Sequence, residues 1–163
     1  MRRTLVVSTA AALVALTAVG GGGTAARAQQ ASDVDVVRAA ATAFYAALSA
    51  RDIRAMEGLW SRDANPMMIH PTGPYARTPA VGWEAVRRSL EAVFARFAEF
   101  SVSLRDPQVR VGEAGAVVVG VTPVRGRTPE GEVDYTALGT TVFERRGGRW
   151  LVVHHHASQA PQQ

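Results

Sequence analysis

The chain has no cysteine and no lysine among its 163 residues. Without cysteine there can be no disulfide, no lipid-anchored cysteine and no thiolate nucleophile or metal ligand, so the fold is held by its core alone. All 18 basic residues are arginine, which excludes Schiff-base chemistry. No internal repeat, long low-complexity segment or linker divides residues 29–163, which read as one domain.

The N-terminus has the form of a leader. Met1-Arg2-Arg3 precedes an apolar run from Leu5 to Val19, and Ala26-Arg27-Ala28 supplies the small-x-small pattern of signal peptidase sites. The run is shorter than the roughly 20 residues that a bilayer core requires, and Gly20 to Gly23 interrupt it. Residues 1–28 are therefore expected to be a cleaved signal peptide, leaving a periplasmic or secreted protein with no membrane attachment. Arg2-Arg3-Thr4-Leu5 faintly resembles a twin-arginine signal, so the export route stays open. Loss of Arg2, Arg3 and Arg27 lowers the formal charge from +4 to +1, which removes the electrostatic case for a nucleic-acid partner. A remainder of about 135 residues can bury roughly two-thirds of its unfolded surface.

Helical periodicity comes first. Ser32 and Asp35 have the spacing of a capping box, and Val34, Val37, Ala41, Phe44 and Leu48 recur every three or four residues, predicting a helix that ends near Arg51. Asp52 can cap a short second helix with Ile53, Met56 and Trp60 on one face. Met67 to His70 form a brief strand, stopped by Pro71-Thr72-Gly73-Pro74. A third helix starts around Pro79 to Gly82, with Trp83, Val86, Leu90, Val93 or Phe94, and Phe97 on its apolar side. From Phe100 the period becomes two, and the turns at Gly112–Gly115, Arg125–Gly131 and Arg145–Gly148 predict an antiparallel meander. Three helices against one face of a curved sheet make an α+β domain.

This element order, with Gly82-Trp-Glu-Ala-Val86 opening the third helix and Trp150-Leu-Val-Val-His-His-His-Ala-Ser158 closing the last strand, resembles the SnoaL-like branch of the nuclear transport factor 2-like superfamily over residues 32–158. The resemblance implies a cone-shaped curved antiparallel sheet wrapped around three N-terminal helices, with an apolar pocket at its wide end. Its members include steroid isomerases, polyketide cyclases, epoxide hydrolases, dehydratases and non-catalytic association domains, usually dimeric through the outer sheet face. Activity has to be argued from the site rather than the fold.

Comparison with the steroid isomerases is the most informative. Their first helix looks like Phe44-Tyr-Ala-Ala-Leu-Ser-Ala-Arg-Asp52, and their general base, an aspartate, directly precedes a Pro-x-Gly turn. Here that turn is Pro71-Thr72-Gly73 and the preceding residue is His70, whose ordinary pKa of about 6.5 would let it accept a proton near neutrality without burial. The isomerase tyrosine matches Phe44, which has no donor, and its protonated aspartate matches Thr140, counting back from the Gly148-Arg149 hairpin. Loss of one oxyanion donor costs on the order of 100- to 1000-fold in rate, so steroid isomerase activity is not expected.

Unbroken alternation along the last strand would put Trp150, Val152, His154, His156 and Ser158 on one face and Leu151, Val153 and His155 on the other. The resembling kinase association domains keep the first and third histidines, which implies that the even face points inward and His155 outward. Asp134, Thr136, Leu138, Thr140 and Val142 would share that inner face, making Asp134 a pocket acid partnered by His154 or His156. His154 and His156 could chelate a metal with His70 or Asp134, but no His-rich or carboxylate cluster accompanies them; neither metal nor cofactor is expected. Trp60, Trp83 and Tyr75 are candidate cavity linings, with core packing the plainer reading for the tryptophans.

The expected function is binding of a small apolar or aromatic molecule in a cone pocket, by a homodimer. Acid/base catalysis of isomerase, cyclase or hydrolase type would use His70, Asp134 and His154, with Phe44, Trp60, Tyr75, Trp83, Thr140 and His156 contacting the ligand. The alternative is a non-catalytic dimeric association module.

Overall fold

A helix with one apolar stripe must bury that stripe, and in the computed structural model, which describes residues 22–161, α1 (Gly22–Ala50) does so with Val37, Ala41, Phe44 and Leu48. The charged start and apolar run of the expected leader lie outside the described residues. The helix does not begin at a Ser32 capping box; it runs continuously from Gly22, and Asp33 within it takes an ion pair from Arg145 at 3.3 Å. At its other end, Arg51 enters the left-handed region (φ 55°), and Arg51 and Asp52 donate back to the Leu48 and Ala47 carbonyls. Asp52 then caps α2 (Ile53–Leu59) by accepting from the Ala55 amide at 2.9 Å. One residue thus finishes the first helix and starts the second.

β1 (Met67–Ile69) and the two-residue β2 (Ala80–Val81) flank a loop containing a 3-10 turn, and α3 (Trp83–Arg96) follows. α3 buries Trp83, Val86, Ser89, Leu90 and Phe94, the expected stripe with one polar residue in it, while Phe97, expected on the same helix face, lies past the helix end as its C-cap and is half-buried. The remaining strands are β3 (Glu99–Val102), β4 (Arg105–Val111), β5 (Gly115–Thr128), β6 (Gly131–Arg146) and β7 (Arg149–Gln159).

The seven strands form one sheet in the order β2-β1-β7-β6-β5-β3, with β4 also on β5. β3 and β4 pair with successive stretches of β5, through Val102↔Val124 and Arg105↔Val121, with a register shift between Arg105 and Gln108. β5 and β6 pair continuously from Gly115↔Glu144 to Thr128↔Gly131, so most of the expected Arg125–Gly131 turn is ladder and only Pro129-Glu130 turns. β1 lies parallel to β7, with Met68 beside His155, so the sheet is mixed rather than wholly antiparallel. The helices pack on its concave side around Phe44, Met56, Trp60, Val86, Leu90 and Phe143. Complete burial of one such Phe or Leu contributes about 1.5–3 kcal/mol.

Candidate active site

The helices do not fill the hollow of the sheet. A cavity of about 710 Å³ lies between Tyr45 and Leu48 of α1, the second half of α3, and the inner face of β5 to β7. That volume suits a drug-sized ligand. Leu48, Met68, Leu90, Phe94 and Val124 give it an apolar wall, interrupted by His70, Tyr75, Thr122, Tyr135 and His155, while the exposed Arg96, Glu130 and Glu132 belong to its rim.

His70 arrives by strand alternation: Met68 faces in, Ile69 out, His70 in. Its amide donates to the Tyr75 carbonyl at 3.3 Å, closing the Pro71–Tyr75 loop and bringing the two rings to 5.5 Å. The side chain is 5 % exposed, and Nε2 lies 3.0 Å from the Ser89 hydroxyl of α3. Nδ1 makes no hydrogen bond among the described residues and keeps some accessible surface, and the side chain is part of the cavity lining. Burial pushes the His70 pKa down to about 4. The ordinary pKa expected of this imidazole is therefore corrected: the ring is neutral at pH 7 because it is desolvated.

His155 is the second imidazole in the wall, 3 % exposed, with Nδ1 3.0 Å from Thr141 Oγ1 and its ring 4.8 Å from that of Phe44. Burial, assisted by the neighbouring His70, His154 and His156, pushes its pKa down to about 3. The Tyr45 ring also lines the cavity, and its hydroxyl rests against Gly139, where a Cβ would collide with it. Burial pushes the Tyr45 pKa up to about 12, so the phenol stays protonated.

The deep wall therefore offers imidazoles, phenols and hydroxyls without formal charge at pH 7. Charge placed there without a counter-ion would be costly, so the arrangement suits an uncharged polar group on an apolar body. An imidazole of pKa about 4 has the basicity of a carboxylate. It can take a proton from an activated C–H and return it readily.

Of the sequence candidates, His70 and Tyr75 line the cavity. Phe44, Trp60 and Trp83 are buried in the core beside it, the first two with rings 6.0 Å apart, and none of the three lines it. The expected inner face of β6 and β7 is corrected. Asp134 is exposed and pairs with Arg125 at 3.3 Å; His156 is exposed; His154 and Thr140 are half-buried on the same outer side. The cause is a bulge: Val142 pairs with His154 but Phe143 with Val152, leaving Val153 as the extra residue. Trp150 and Val152 face in, and beyond the bulge His155 and Ala157 face in. The ungapped count that placed Thr140 in the site lands one residue short of Thr141.

Sequence reasoning missed Tyr45, Ser89, Thr122, Tyr135, Thr141 and His155. One signal was available. Glycine inside a strand often marks the close approach of another group, and Gly139 faces Tyr45, which places Tyr135, Ala137, Thr141 and Phe143 on the inner face by alternation.

A cone of helices and curved mixed sheet with an apolar, polar-tipped cavity is the architecture of the nuclear transport factor 2-like superfamily. Residues 37–162 match the family model of the SnoaL-like domain, and the chain belongs to that family. No curated protein matches it. Among solved structures it is similar to a proposed dehydratase of the nuclear transport factor 2-like family from Streptomyces avermitilis, at 26 % identity and TM-score 0.72, over 81 % of this chain and 99 % of the other. A proposed calcium/calmodulin-dependent protein kinase type II association domain from Thiobacillus denitrificans is 27 % identical, with TM-score 0.61, over 76 % and 94 % of the two chains. A ketosteroid isomerase-like protein from Erwinia carotovora atroseptica shares the fold, at 17 % identity and TM-score 0.67, over 80 % and 98 %.

Proposed function

We propose that this protein binds a small, uncharged, largely apolar or aromatic molecule in the cone and that His70 moves a proton on it, in the manner of an isomerase, cyclase or dehydratase. One observation carries the reading: a cavity of about 710 Å³ whose apolar wall is broken by a buried imidazole with one ring nitrogen unpartnered among the described residues. His155 and Tyr75 flank the ligand. Asp134, His154, Thr140 and His156, on the other side of the sheet, are not in contact with it.

The outer sheet face favours a dimer. Val117 and Val119 of β5 and Leu138 of the neighbouring β6 are 37–51 % exposed, as an association surface would require. A purely associative module, the reading supported by the Thiobacillus denitrificans neighbour, would use this face and leave the cavity empty. The leader-like residues 1–28 support export to the periplasm or medium.

Thermal unfolding in the presence of steroid, polyketide-like and terpenoid compounds tests the proposal. A ligand at a hundred times its Kd stabilises by about 2.7 kcal/mol, several degrees in Tm. His70→Ala should weaken protection by the same compounds. No protection by any compound would contradict the binding reading, and identical protection of wild type and His70→Ala would show that His70 does not contribute to binding. Its proton-transfer role is tested by the rate with a compound that protects, which His70→Ala should lower by about 100-fold or more.

A further inference from the structure

A serine beside a histidine invites the reading of nucleophile and base, in which the hydroxyl donates to the imidazole. Here the hydrogen bonds run the other way. Ser89 Oγ lies 2.8 Å from the Val86 carbonyl one turn earlier in α3, and a carbonyl can only accept, so the one hydroxyl proton is committed to it. Ser89 can then only accept from His70 Nε2, 3.0 Å away. It is also fully buried, with no surface turned toward a ligand.

We infer that Ser89 is a positioning residue that fixes His70 in the Nε2–H tautomer and so presents an unprotonated Nδ1 to the cavity. The inference rests on the proposed proton-transfer role of His70 and adds which nitrogen performs it. When Nδ1 takes a proton from the ligand, the electron pair of the broken bond stays on the ligand. The imidazolium keeps its Nε2–H bond to Ser89, and the same proton leaves from Nδ1. No proton passes to Ser89, whose lone pairs alone are available, so acyl transfer through a seryl intermediate is excluded. The site belongs with proton transfers rather than with serine hydrolases.

Two-bond proton–nitrogen correlation spectra of the ¹⁵N-labelled protein report tautomers directly and need no ligand. The expected wild-type pattern for His70 is a pyrrole-type Nε2 and a pyridine-type Nδ1. In Ser89→Ala, which removes only a hydroxyl, the tautomer ratio should shift toward Nδ1–H by roughly fivefold, the loss of one buried neutral hydrogen bond. A wild-type proton on Nδ1, or a ratio in folded Ser89→Ala equal to wild type, would overturn the assignment. The wild-type spectrum suffices if that variant does not fold. Because no ligand is involved, failure of the binding screen would sink the proposed function while leaving this result standing, and the reverse also holds.

Discussion

The two faces of β7 carry the same residue type in different physical states. His155 is sealed, hydrogen-bonded to Thr141 and held neutral by burial, whereas His156, one residue on, is exposed and Asp134 on that outer side is paired across the ladder with Arg125. The difference is made by a single extra residue, Val153, which reverses the alternation halfway along the strand. Identity in a histidine run says little; side of the sheet decides chemistry.

The largest expected effect is on acid stability. His70 and His155 have folded pKa values of about 4 and about 3, below the unfolded value near 6.5, so the unfolded chain binds more protons as pH falls. Their contribution to stability is complete above pH 6.5 and is lost below it, by about 1.4 kcal/mol per pH unit for each ring. Denaturant unfolding at pH 7 and pH 5 should show the loss, and a His70→Gln/His155→Gln double variant should flatten it. An unchanged slope in the variant would break the contrast between the faces.

Truncating the inner histidine comes next. His155→Ala leaves a void beside Phe44 and an unpartnered Thr141 hydroxyl, expected to cost about 2–4 kcal/mol, against less than about 0.5 kcal/mol for His156→Ala. Comparable losses would mean that the bulge is misplaced. Gly139→Ala should cost about 1–3 kcal/mol, because its Cβ meets the Tyr45 hydroxyl, with chemical denaturation as the readout. The smallest change in monomer stability belongs to Leu138→Asp on the exposed face, within about 0.5 kcal/mol, yet it should shift sedimentation from dimer toward monomer. A wild-type protein that sediments as a monomer would remove the outer face from the account.

Much of the frame was legible from local pattern. The stripe Val37-Ala41-Phe44-Leu48 and the Asp52 cap depend on neighbours in sequence and appear as expected, and the short strand before the Pro71 turn ends at Ile69, one residue before the expected His70. What was hidden depends on distant partners. The parallel seat of β1 on β7 joins segments more than 80 residues apart, and it is this pairing that carries His70 to the cavity beside the inner face of β7. The Val153 bulge answers to register against β6, so an unbroken alternation, oriented by the resemblance to the association domains, put His154 and His156 inside and His155 outside. Nothing in the sequence around Ser89 marks it, because the ring that needs it comes from another element.

The most direct measurement is a pH titration of the individual imidazole resonances. His70 and His155 should hold their neutral shifts from pH 8 down to pH 5. Titration of either ring near pH 6.5 in the folded protein would show that it sits in water, and the buried, cavity-facing pair would be wrong.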